Sequence, residues 1–162
     1  MKVRDRIGVI TDLLLGAVYA DGRAPPAERE AVRALLCDLL LTTDLPPEVE
    51  VRLVTFDPEY FDLEAVADDF AADPPMNRRR LLELVGKMCM ADGVLDLSEV
   101  AYVQRLATAL GMEREEYRDL VKQCEVQELR RHLREVRMTP SGGLERPAVA
   151  PPPDTPPSGV SR

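Results

Sequence analysis

Tryptophan is absent, and only 3 Phe and 4 Tyr occur among 162 residues. The core must therefore be aliphatic, drawn from the Leu, Val and Ala that dominate the 45% hydrophobic content. Histidine occurs once, as His132, which leaves almost no material for a histidine-based triad or zinc site. Basic charge is short as well: 21 Lys and Arg stand against 29 Asp and Glu, for a net charge of −8. Nucleic-acid binding rests on cations neutralising phosphates, so this balance argues against DNA and RNA as partners. An acidic membrane surface would repel the chain too. The three cysteines, Cys37, Cys89 and Cys124, match neither a disulfide framework nor a zinc knuckle and suit a reducing cytoplasm. No run reaches the ~18 apolar residues of a membrane span. Charges at Lys2, Arg4, Asp5, Arg6 and Asp12 interrupt the first apolar stretch, so no signal peptide is expected.

What is present is helical periodicity. Ile7, Ile10, Leu14, Ala17 and Val18 form a stripe that predicts a helix from about Arg4 to Ala20, ended by Asp21-Gly22. Pro25-Pro26 suits the first turn of a second helix reaching Thr42, since a missing N–H costs little there. Leu45-Pro46-Pro47 opens a short helix through Leu53, and Asp62 caps another ending near Ala72. A longer helix is expected over Met76 to Ala91, beginning with Arg78-Arg79-Arg80 as a solvated first turn or a source of interhelical pairs. Asp96-Leu97-Ser98-Glu99 fits a capping box, and the helix behind it stops at Gly111. A last helix spans roughly Glu113 to Arg137. No segment alternates with period two. The expectation is an all-α single bundle of about seven helices in residues 1–138. Residues 139–162 form a separate tail: from 140 onward lie 7 of the 14 prolines, too few large apolar side chains to offset ordering entropy, and charges that cancel. Disorder is expected there.

Shifting the chain by 71 residues superposes two segments. Val18-Tyr19-Ala20-Asp21-Gly22 falls on Cys89-Met90-Ala91-Asp92-Gly93, Glu28 on Glu99, Val32 on Val103, Leu35 on Leu106 and Leu39 on Leu110. Each copy reads apolar helix, Ala-Asp-Gly, a five-residue spacer, Glu, apolar helix, the mark of a duplicated helix-turn-helix unit. At these residues the chain resembles the TerB-like family, named for a tellurite-resistance protein and found also as the N-terminal domain of a DnaJ-type membrane co-chaperone. The resemblance covers roughly residues 5–125 and implies a bundle of about seven helices with a tellurite or general stress role. One departure is Ala24-Pro25-Pro26 in the first loop, where the family places a small polar capping residue. Proline keeps the helix start and removes a side-chain oxygen that a metal site there could use.

The acidic loops are the candidate site. Asp92, Gly93, Val94, Asp96 and Glu99 follow the second half of a calcium loop, but Met88 and Met90 stand where that loop needs oxygen ligands, so neither copy is an EF-hand by itself. If the duplicated units pack face to face, Asp21, Glu28, Asp92, Asp96 and Glu99 offer up to five carboxylates to one divalent cation or one basic partner. Helix capping and dipole effects explain each acid singly, so both readings stand at this point. Met88, Cys89 and Met90 are expected in the core, because adjacent helix positions point in different directions. No nucleophile–base pair can be assembled, so an enzyme is the least expected class and no cofactor is required. The leading expectation is a non-enzymatic cytoplasmic adaptor whose acidic face binds a protein with a basic surface. The alternative is a calcium-binding sensor using the two Ala-Asp-Gly loops.

Overall fold

The computed structural model describes residues 3–90 and 97–138. Among them lie a 3-10 turn, Arg4–Arg6, and seven α-helices: α1 Ile7–Val18, α2 Pro26–Leu40, α3 Pro47–Thr55, α4 Leu63–Ala71, α5 Pro75–Cys89, α6 Leu97–Ala109 and α7 Arg114–Met138. No strand occurs among the described residues, and the fold is all-α. No helix among them is long and apolar enough to cross a membrane. The segment 139–162 and the side chains of Cys124 and His132 lie outside the described residues.

Local chemistry sets the helix starts. α2, α3 and α5 each begin with Pro at the first position behind a second Pro, and the capping residues Pro25, Pro46 and Pro74 share one extended geometry with ψ of 148°, 142° and 146°. Proline forces the residue before it out of the helical region and presets the φ of the first turn, so a Pro-Pro pair starts a helix without any polar cap. α4 uses the other device, Asp62 Oδ1 accepting the Ala65 N–H at 3.0 Å. At the far end of α6, Gly111 takes φ +65° while its N–H and that of Met112 donate to Thr108 and Ala107, a Schellman closure. α2 closes the same way without glycine. Leu41 adopts φ 54° with its side chain 93% exposed, and Leu41 and Thr42 donate to Asp38 and Cys37.

α1 differs from its expected single apolar stripe. Leu13 and Leu15 are buried along with Ile10, Leu14, Ala17 and Val18, and only Gly8, Val9 and Asp12 remain half-covered. A helix apolar around most of its circumference belongs at a centre, and α1 packs against α2, α3, α4, α5 and α6. Gly16 is what lets a layer approach so closely. A Cβ there would overlap the Phe61 ring and lie 2.6 Å from the Tyr102 hydroxyl. That hydroxyl donates to the Leu13 carbonyl at 2.8 Å, and burial pushes the phenol pKa well above its ordinary value.

The arginine run at the start of α5 is a structural clamp and not a solvated turn. Arg78 donates to the carbonyls of Leu110 and Gly111 at 2.7 and 3.1 Å, satisfying the open end of α6, where a cation also suits the helix dipole. Arg79 bonds Glu83 at 2.8 Å and Asp119 of α7 at 3.0 Å, which raises its own pKa and lowers that of Asp119. Arg80 alone of the three is exposed.

Duplication of the helix-turn-helix unit is visible in the element bounds. α1 ends at Val18 and α5 at Cys89, and α2 begins at Pro26 and α6 at Leu97; both offsets are 71 (89 − 18 and 97 − 26). Even the closing hydrogen bonds correspond: Tyr19 N–H donates to Leu15 at 2.9 Å and Met90 N–H to Gly86 at 3.2 Å.

Candidate functional site

Between the two units lies a cavity of roughly 100 Å³ lined by Ala17 and Val18 of α1, Ala27, Glu28 and Ala31 of α2, Met88 and Cys89 of α5, and Glu99 of α6. Six of these eight form three pairs related by the 71-residue shift: Ala17 with Met88, Val18 with Cys89, and Glu28 with Glu99. The cavity therefore sits on the pseudo-two-fold axis of the duplicated fold. Its position follows from helix geometry. The last turns of α1 and α5 supply the apolar wall, and the first turns of α2 and α6 supply one glutamate each, at the helix ends where negative charge is favoured.

Glu28 and Glu99 are half-buried, while Met88 and Cys89 are buried at 6% and 3% exposure. Both glutamates and Cys89 also make polar or electrostatic interactions within the protein. Two carboxylates at one small, mostly apolar cavity suit a cationic group that brings an apolar stem with it. They also suit a small divalent ion, although one pair of carboxylates offers fewer oxygens than the ~6–8 that calcium takes. Among the described residues no group of three or more acidic, cysteine or histidine side chains is placed to hold a metal.

Of the remaining predicted acids, Asp21 is exposed on the turn after α1, where its Oδ1 accepts the Arg23 N–H at 2.8 Å beside Gly22 at φ +81°. It is not part of the cavity lining. Asp92 and Asp96, with Gly93, lie outside the described residues. The structure thus joins Glu28 and Glu99 and leaves Asp21 at the surface. The residues not anticipated at the site are Ala27 and Ala31, together with Ala17, Val18, Met88 and Cys89. The same shift of 71 that pairs the glutamates pairs the last four as well, and would have marked them.

No curated protein and no solved structure matches the chain. Residues 7–123 match the family model described as tellurite resistance protein TerB. That stretch holds both helix-turn-helix units and the whole cavity between them, and the chain belongs to the TerB family.

Proposed function

We propose that the chain is a non-enzymatic cytoplasmic adaptor in a tellurite-resistance or stress response, and that it recognises a basic partner at the Glu28–Glu99 cavity. The observation that carries this reading is the placement of two repeat-equivalent carboxylates on one cavity whose walls are Ala17, Val18, Ala27, Ala31, Met88 and Cys89. A lysine side chain matches that lining: its four-carbon stem packs on the apolar wall while the ammonium reaches the carboxylates. The charge balance supports the same choice. A net charge of −8 attracts a partner of opposite sign.

A second reading has one specific support, the same pair of glutamates. A divalent cation held by Glu28 and Glu99 with further oxygen donors would make the chain an ion-dependent sensor. Calorimetric titration separates the two. The adaptor reading expects heat and saturation with a lysine-rich peptide and none with millimolar calcium. Saturable calcium binding would replace it with the sensor reading, and no binding of either kind would reject both.

A further inference from the structure

A groove of roughly 660 Å³ runs between α6 and α7, away from the repeat axis. From α6 it takes Ala109 together with Ala101, Gln104, Arg105 and Thr108, the last four of which at about 100° per residue lie on the side of that helix opposite Glu99 and Val103. From α7 it takes Arg114, Tyr117, Arg118, Val121 and Lys122. Four cations and one carboxylate thus line one groove in a protein whose net charge is −8. That carboxylate, Glu64, is bonded to Arg105 through both oxygens at 2.7 and 3.0 Å. Arg114, Arg118 and Lys122 are exposed and enter no ion pair among the described residues, although acids outnumber bases along the chain.

The floor is apolar. Ala101 and Ala109 face Tyr117 and Val121, both half-buried. Along α7 the next position on this side is Glu125, about 20° from Arg114 in helical register, so the cationic track ends at Lys122. From Arg114 to Lys122 it extends about 12 Å, a little over two helical turns. A lone phosphate or carboxylate would need the cations but neither the apolar floor nor the length.

We infer that the α6–α7 groove is a docking site for an acidic amphipathic helix of a partner protein. Its apolar side chains would lie on Ala101, Ala109, Tyr117 and Val121, and its carboxylates would meet Arg114, Arg118 and Lys122. Grooves between two helices take a third in this manner, with apolar anchors at i, i+3 or i+4 and i+7 and charges along the rim. A second copy of the chain is disfavoured as the occupant because, in its acid-only stretch 53–77, Asp73 and Glu64 are already paired with Arg6 and Arg105 of its own domain. This surface is distinct from the Glu28–Glu99 cavity and of opposite sign, so the domain would bridge a basic and an acidic partner.

The probe is a synthetic helix of about 18 residues with Leu at i, i+4, i+7 and i+11 and Glu on its flanks. Its counterpart carries Lys in place of each Glu. Titrated into the full chain, the Glu peptide should bind 1:1 and weaken about tenfold in Arg118→Glu/Lys122→Glu, while the Lys peptide leaves the amide shifts of the groove-lining residues Gln104, Arg105, Thr108, Arg114, Arg118 and Lys122 unmoved. Arg80→Glu/Lys87→Glu, two exposed α5 positions with the same change of charge, should bind the Glu peptide as the wild type does. Helix content and melting temperature establish that each variant is folded.

Equal loss in both double variants would reduce the effect to net charge and overturn the proposal. So would binding to phosphatidylserine vesicles without binding to the peptide, which would assign the groove to a membrane surface. Sedimentation is the last arm. A dimer abolished by Arg118→Glu/Lys122→Glu would give the groove to a second copy, docking through the stretch between Arg52 and Arg78 that holds seven acids and no base, and would likewise overturn it.

Discussion

Leu41→Gly should stabilise the protein although it removes a large apolar side chain. Leu41 ends α2 at φ 54°, in the region where a Cβ crowds the following carbonyl, and that conformation costs an ordinary residue about 1–2 kcal/mol. The side chain is 93% exposed, so the substitution loses almost no buried area. Against the relief stands the greater freedom of glycine in the unfolded chain, about 0.5–1 kcal/mol. The expected net gain is about 0.5–1 kcal/mol, or a melting temperature roughly 2–5 °C higher for a domain of this size. The second unit supplies the internal control. Gly111 fills the equivalent capping place, one residue off the 71-residue shift, at φ +65°, and a Cβ there would stand 3.3 Å from the Arg78 nitrogen that caps α6. Gly111→Leu should therefore lose about 1–2 kcal/mol or more. Urea unfolding with unchanged slope measures both. A Leu41→Gly variant less stable than wild type by over about 0.5 kcal/mol would refute the reasoning, because it would mean that Leu41 is not left-handed or not exposed in solution.

Gly16→Ala should destabilise by at least about 1–3 kcal/mol, since the added methyl meets Phe61 and the Tyr102 hydroxyl within the packed core; a wild-type melting curve would show that α1 can shift to admit it. Tyr102→Phe should cost about 1 kcal/mol, the net worth of its bond to Leu13, and chemical denaturation reads the loss. Glu64 has its pKa lowered chiefly by the hydrogen bond from Arg105, so its contribution is complete above the ordinary carboxylate range and disappears as pH falls through the lowered value. Both side chains are more than half exposed, so the effect is small. The stability gap between wild type and Glu64→Gln at pH 7 should close as pH falls through and below the lowered Glu64 pKa, and shrink in high salt; a gap that widens at low pH would contradict the assignment.

How much of this was legible beforehand depended on whether the signal was local. Pro25-Pro26 and Pro46-Pro47 mark the starts of α2 and α3, and Pro74-Pro75 opens α5 one residue before the expected Met76, because proline acts on its own and its neighbour's backbone. Asp62 and Gly111 act as locally, and both do what their types predict. The 71-residue shift fixes the relation between the two halves and recurs in the helix bounds. What escaped depends on distant partners. Arg78 and Arg79 look like a solvated run until the end of α6 and Asp119 are brought beside them. Leu41 carries no turn signal, since glycine or asparagine is the residue type that announces a left-handed cap. The central place of α1 was hidden by fitting one stripe to a helix that is covered on most sides. Within the candidate site, Glu28 and Glu99 were readable as a pair, whereas the walls of their cavity emerge only when α1 and α5 cross beside α2 and α6.

The central claim is that Glu28 and Glu99 face one cationic ligand on the repeat axis. Thermal melts of the wild type, Glu28→Gln, Glu99→Gln and the double variant, each with and without a lysine-rich peptide and with and without millimolar calcium, test it most directly. A ligand at about 100 times its dissociation constant should stabilise the wild type by about 2.7 kcal/mol. Each single variant should lose most of that shift, with the double variant little worse than either, because both carboxylates serve one ligand and their effects are not additive. An undiminished ligand-induced shift in the double variant would contradict the claim.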